Sequence, residues 1–253
     1  MSLTLGQWIG FLLCAFFAGY VQNITGFALS LLLLGLCQLF DIASITHVSN
    51  ATAVLSVVNF VTVLKASPMH IERSVLRPTM GGMTIGVGAG ALLLHWLSAN
   101  AIGVLHLLLG ATIVGCALTL MAGRQAGIAT SSPVTHAAFG VTSGILGGLF
   151  STAGPPLVYH FYRQPWPIAT IRDTLLLMFG LSSSLRCVIM IATGAFDLQS
   201  VLMTAMAVPL IVAQSVWMRR RPPRWPVHQV RRLTAVLLCV SGGAILLRGL
   251  LGD

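Results

Sequence analysis

The residues of this chain able to do chemistry carry hydroxyls, amides and one guanidinium, rather than paired acids and bases. Arg186 is the only basic residue deep inside an apolar run, and Ser182 and Ser183 precede it by four and three positions on the same side of a helix. A guanidinium in that setting costs at least ~2.5–3.5 kcal/mol on insertion scales, so it needs a partner or a task. The acids are Asp41, Glu72, Asp173, Asp197 and Asp253, and none is spaced to pair with it inside an apolar run. An unpaired cation there suits an anionic substrate. The alternative is that Arg186, seven residues from the end of its run, snorkels to the surface.

Two polar stretches interrupt otherwise apolar runs: Gln22-Asn23-Ile24-Thr25-Gly26 and Ser151-Thr152-Ala153-Gly154-Pro155-Pro156. Pro155 and Pro156 remove two backbone donors, so a helix cannot run straight through them. Broken backbone at membrane depth survives only where protein or a water-filled cavity covers it. Helix ends at a hairpin tip expose N–H groups, which attract anions. Gln22, Asn23, Thr25 and Gly26 are therefore one candidate lip of a substrate site, and Ser151, Thr152 and Gly154 the other. The same groups could instead serve only the broken backbone.

Ser49, Thr52, Ser56 and Asn59 are spaced i, i+3, i+7, i+10, which places them on one helical face, with Asn50 beside them. Such a stripe faces protein or water rather than lipid, although hydrogen bonding between helices would explain Ser and Thr equally well. Asn50, Thr52, Asn59 and Ser182 are the candidate walls, and Arg186 is the candidate countercharge. Its planar fork could hold two oxygens of an anion at once.

Other chemistries find little. There is no G-x-S-x-G and no P-loop, and the seven histidines form no H-x-x-x-H. Ser143 or Ser151 with His160 is the one conceivable hydrolytic arrangement. The five cysteines form no C-x-x-C, and all lie in apolar runs, as small buried hydrophobes do. No metal and no cofactor is expected.

The elements that must position these residues follow from composition. Of 253 residues only 8% are charged, 56% are hydrophobic, and the mean hydropathy is +0.91. A soluble fold needs a polar shell that this chain cannot supply. The net charge of +9 therefore reads as orientation in a lipid bilayer rather than nucleic-acid binding. The N-terminus lacks a basic region, so it reads as part of the membrane domain rather than a signal peptide. Eight apolar blocks cover about 6–40, 42–64, 78–97, 100–121, 135–162, 168–193, 198–218 and 231–250.

The halves look like repeats. The segment from Gly19 to Asn59 resembles that from Gly144 to Leu185 at an offset near 126, and the two broken stretches correspond. Matching interrupted segments are a pointer to a transporter binding site. If each block crosses once, Lys and Arg outside the blocks divide eight to five. If blocks one and five are re-entrant hairpins, the division is twelve to one, with only Arg248 opposite. The positive-inside rule favours the second arrangement. The expected fold is thus an all-α polytopic membrane protein of two inverted repeats, about 6–121 and 135–250. Each is a broken or re-entrant helical hairpin plus three transmembrane helices. Gly82, Gly86 and Gly90, and likewise Gly144 and Gly148, recur every four residues, as in close helix packing.

Ala18-Gly19-Tyr20-Val21-Gln22-Asn23-Ile24-Thr25-Gly26-Phe27-Ala28 resembles the first-half signature of the sulfite exporter TauE/SafE family. The run Gly144-Ile145-Leu146-Gly147-Gly148-Leu149-Phe150-Ser151-Thr152-Ala153-Gly154-Pro155-Pro156 resembles its second-half counterpart. The family pattern is a Gly-rich turn followed by apolar residues and a Pro. The first break here keeps Gly26 without the Pro, and the second keeps Gly154 with Pro155 and Pro156. The resemblance implies a multi-pass permease of the bacterial inner membrane. It also implies a small anionic substrate such as sulfite or a sulfonate like sulfoacetate, usually exported. Coupling would be to a gradient. A passive anion channel and an intramembrane hydrolase are the opposing readings, and a homodimer is left open.

Overall fold

The computed structural model describes residues 4–25, 28–66, 69–121, 130–221 and 227–251. Ten α-helices form over these residues: α1 Leu5–Thr25, α2 Leu29–Leu39, α3 Ile45–Ala66, α4 Leu76–Asn100, α5 Ile102–Met121, α6 Pro133–Phe150, α7 Gly154–Tyr162, α8 Ile168–Ala192, α9 Leu198–Arg220 and α10 Val227–Leu251. Seven of them, α1, α3, α4, α5, α8, α9 and α10, are long and apolar enough to cross a membrane. At 1.5 Å per residue, 20 or so residues cover the ~30 Å hydrocarbon layer.

Local chemistry sets the boundaries. Ser132 caps α6 by accepting from the Thr135 N–H at 3.2 Å, with Pro133 in the first turn, where its missing N–H costs nothing. Ser151 ends α6 in the left-handed conformation, at φ 55°. Pro155 and Pro156 sit in the opening turn of α7, so the second break falls where expected. The first break is displaced. α1 stays helical through Thr25, and Gln22 and Asn23 are not unwound. Asn23 Nδ2 donates to Gly19 O at 3.0 Å and Thr25 Oγ1 to Val21 O at 2.8 Å, so both side chains bond the preceding turn instead of replacing it. Gly26 lies outside the described residues.

The packing partners exchange when one half is laid on the other. α4 packs on α6, as α9 packs on α1; α3 packs on α9, as α8 packs on α4; and α2 packs on α10, as α7 packs on α5. The pairs α3–α8 and α5–α10 map onto themselves. α4 and α6 run parallel and meet backbone to backbone. A Cβ on Gly144 would stand 2.5 Å from Met83 O, and Cβ atoms on Gly82, Gly86 and Gly90 would press into the carbonyls of Ala137, Val141 and Ile145.

Tertiary bonds sort the helix ends. At one end Gln7 Nε2 donates to Asp41 O at 3.3 Å, Arg248 pairs with the Asp41 carboxylate, and His47 Nε2 lies 3.0 Å from Asp197 Oδ2. At the other, the N–H groups of His70 and Glu72 donate to Asp173 Oδ2 and Thr174 Oγ1 at 3.0 and 3.1 Å, beside Lys65, Arg73, Arg77 and Arg172. The chain ends of the α1–α2 hairpin lie at the Asp41 end. Those of α6–α7 are tied together by Gln164, whose Oε1 accepts from the Ser131 N–H at 3.0 Å.

Candidate functional site

Arg186 is 1% exposed, so it does not snorkel. Its Nη1 donates to Gly147 O at 3.2 Å and its Nη2 to Asn50 Oδ1 at 3.3 Å, while Nε is buried without a hydrogen-bond partner. Asn50 is oriented in turn by its Nδ2, which donates to Ala195 O at 3.0 Å. Among the described residues no carboxylate lies within ion-pair distance of Arg186. The guanidinium and Asn50 line a cavity of ≈ 370 Å³ together with Thr46, His95, Ser98 and Thr193. The cavity lies toward the Asp41 end, where α3 begins and α8 finishes. A cation held only by neutral acceptors, with three of its five N–H groups unspent, beside a mainly apolar cavity that carries a few polar groups, is arranged to receive an oxyanion.

The second break stands next to this group. Ser151 Oγ donates to Ser49 O at 2.6 Å, Ser30 Oγ donates to Ser151 O at 2.7 Å, and Ser49 Oγ donates to Leu149 O at 3.2 Å. Ser30 Oγ lies 3.5 Å from Ser56 Oγ. The break at Ser151 is thus pinned between the first turn of α2 and the second turn of α3. Ser182 packs on Gly147, where a Cβ would come within 2.6 Å of its hydroxyl, so Ser182 and Arg186 both contact that glycine. Thr152 and Gly154 are buried beside each other.

The first break feeds a different cluster. Asn23 Nδ2 donates to Ser215 Oγ at 3.1 Å, and Ser215 Oγ donates to Asn59 Oδ1 at 2.6 Å. Asn59 is fully buried, and its Nδ2 has no partner. Gln22 and Thr25 are buried in the same last turn of α1. The two lips expected to form one centre therefore serve separate groups, joined along the polar face of α3. All four residues of that face are buried. Thr52 differs from its expected role, because its Oγ1 donates to Ser49 O of its own helix at 2.9 Å.

The expected residues had partners that sequence reasoning missed: Ser30, Ser215, Thr46, His95, Ser98 and Thr193. Gln214 and Ser215 form a polar pair inside the seventh apolar block, the one signal that could have drawn attention there. The hydrolytic arrangement does not form. His160 Nε2 lies 2.8 Å from His136 Nδ1, and Ser151 spends its proton on a carbonyl.

The model of the family described as "Sulfite exporter TauE/SafE" matches residues 11–245 of this chain. The chain belongs to the sulfite exporter TauE/SafE family. It is 30% identical over 228 residues to the "Probable sulfite/organosulfonate exporter TauE" of Cupriavidus necator, covering 90% of this chain and 89% of that protein. It is also 30% identical over 173 residues to the "Probable inner membrane transporter protein TsaS" of Comamonas testosteroni, covering 67% of this chain and 72% of that one. No solved structure gives a significant match. The TauE/SafE match spans both broken hairpins, the polar face of α3 and Arg186.

Proposed function

We propose that this TauE/SafE protein is a secondary transporter of a small anion in the bacterial inner membrane, exporting sulfite or an organosulfonate. The observation that carries the reading is Arg186: a buried guanidinium with no carboxylate partner among the described residues, lining a cavity with Asn50, Thr46, His95, Ser98 and Thr193. The names borne by its two relatives, an exporter and an inner-membrane transporter, support it. So do the helices long and apolar enough to cross a membrane.

In this reading the chain is one transmembrane unit of two repeats with inverted topology, about 6–121 and 135–250. The exchange of packing partners supports the repeat. The inversion is supported by the opposite ends at which the two hairpins open, and by the twelve-to-one division of basic residues. No P-loop is present, so the driving force is an ion gradient or the anion's own gradient. Arg186 and Asn50 form the anion's first station, and the Ser151 tip and Ser182 flank it. Alternating access would keep α4–α6 fixed and open α1–α9. A hydrolase is disfavoured by the separate partners of Ser151 and His160. The protein would then have no enzymatic activity.

Counterflow in proteoliposomes tests this. Radiolabelled sulfite should exchange against unlabelled sulfite or sulfoacetate, which a hydrolase would not support. Arg186→Lys keeps the charge but loses the fork, and should slow exchange by about tenfold. Arg186→Gln should slow it further. If folded Arg186→Gln exchanges sulfite at the wild-type rate, the countercharge reading fails.

A further inference from the structure

We infer that Asn59, Ser215 and Asn23 form a second, charge-free anion station, nearer the other end of α3 than the Arg186 group; this rests on the transport reading above. The hydrogen-bond order leaves a donor free. Asn23 Nδ2 is committed to Gly19 O at 3.0 Å and Ser215 Oγ at 3.1 Å. The 2.6 Å separation of Ser215 Oγ and Asn59 Oδ1 is that of a hydroxyl donating to a carbonyl oxygen. Asn59 Nδ2 therefore keeps its N–H groups, fully buried and without a partner. A buried donor left without a partner is costly, so it calls for an explanation. An oxyanion accepting from that amide supplies one.

The two stations correspond. At the repeat offset of 126, Arg186 of α8 falls on Phe60 of α3, the neighbour of Asn59. The Arg186 group lies among α8, α6 and α4. The Asn59 group lies among α3, α1 and α9, which are the helices these exchange with. Nine residues of α3 separate Asn50 from Asn59, about 13 Å at helical rise. Along that stretch Ser30 and Ser56 lie 3.5 Å apart, and Ser30 and Ser151 are tied to the Ser151 and Ser49 carbonyls. The anion would bind at the guanidinium, pass these hydroxyls and pause at the amide. A neutral amide holds an oxyanion without retaining it as a second guanidinium would.

The test compares binding with exchange in the full-length protein. Asn59→Asp keeps the size of the side chain and the oxygen that Ser215 bonds, but replaces the free donors with a carboxylate. It should lower sulfite counterflow at least about tenfold. The rise in melting temperature that sulfite gives the detergent-solubilised protein should shrink but persist, because the Arg186 station is intact. Asn59→Leu, also of similar size, should behave the same way and serves if the aspartate variant does not fold. Arg186→Gln should lose both signals. The second station is overturned if a folded Asn59 variant exchanges sulfite at the wild-type rate. It is equally overturned if that variant loses binding together with exchange, which makes one site of the two. Wild-type exchange by Arg186→Gln, with loss in Asn59→Asp, sinks the countercharge reading and leaves the amide station standing.

Discussion

The helix pairs α4–α6 and α1–α9 each join one half to the other and exchange when the halves are overlaid, yet they are built from different contacts. In α4–α6, glycines on both helices let the backbones touch, and each facing carbonyl stands where a Cβ would go. Such an interface gains dispersion and Cα–H···O contacts, and it has no slack. In α1–α9 the contact is made by side chains. Gln214 Nε2 donates to Phe16 O at 2.8 Å while its Oε1 has no partner, and Asn23 reaches Ser215. These groups have rotamers to exchange. The guanidinium of Arg186 is bonded to α6, the helix of the fixed pair, and the amide of Asn59 is bonded to α9, in the adjustable one. In the transport reading the difference makes α4–α6 the scaffold and α1–α9 the movable wall.

The largest expected effect breaks the scaffold. Gly86→Ala puts a methyl into the Val141 carbonyl, with the Ile145 N–H and Gly144 Cα also within 3 Å. No side chain can turn aside to relieve it, so we expect a loss of about 3 kcal/mol and poor recovery of folded protein. Gly19→Ala is the matched experiment. Its methyl would meet Gln214 Oε1 at 2.5 Å and Ile211 Cδ1 at 2.6 Å, both at the ends of flexible side chains. Alanine also gains about 1 kcal/mol over glycine in a helix interior, so the net change should be near zero. Melting temperatures of the two variants decide it. Equal damage at both positions would erase the distinction between the interfaces.

Locking the adjustable pair is the next effect in size. With the five native cysteines replaced, Gly19→Cys and Ile211→Cys bring two thiols together across α1–α9. Bridging them with a short bifunctional reagent should stop sulfite counterflow while leaving the sulfite-induced rise in melting temperature. Undiminished exchange through a verified crosslink would place the moving wall elsewhere.

Much of this arrangement was legible in the sequence. Helix ends fell near the expected block ends because Pro133, Pro155 and Pro156 act through the backbone alone. The α3 stripe was readable because helical spacing converts directly into a face, and its burial follows. The depth of Arg186 was readable as cost. What stayed hidden was partnership. Ser30 and Ser215 are single hydroxyls in apolar helices, and their spacing says nothing of what they meet 121 and 156 residues away. His136 and His160 meet only because the hairpin folds back. The end of α1 was misjudged because Asn23 and Thr25, read as breakers, bond the turn behind them and prolong it.

The smallest effect concerns where α9 is anchored. Asp197 caps α9 by accepting from the Ser200 N–H at 3.3 Å, and its other oxygen holds His47 of α3. If the wall moves against α1, this end is its fixed point. Burial pushes the Asp197 carboxyl up, but the Ser200 hydroxyl and the His47 ring outweigh that and hold it below the usual carboxylate range. A carboxyl depressed in the folded state contributes stability that is present above its unfolded pKa of about 3.9 and is lost as the pH falls through the folded value. Asp197→Ala should therefore cost about 1 kcal/mol at neutral pH, as loss of a cap does. The gap in melting temperature between variant and wild type should close as the pH drops below about 3.9. A gap that stays constant into acid would mean that the charge of Asp197 does not hold α9 to α3, and the anchor would have to be sought in the packing of α3 on α9 instead.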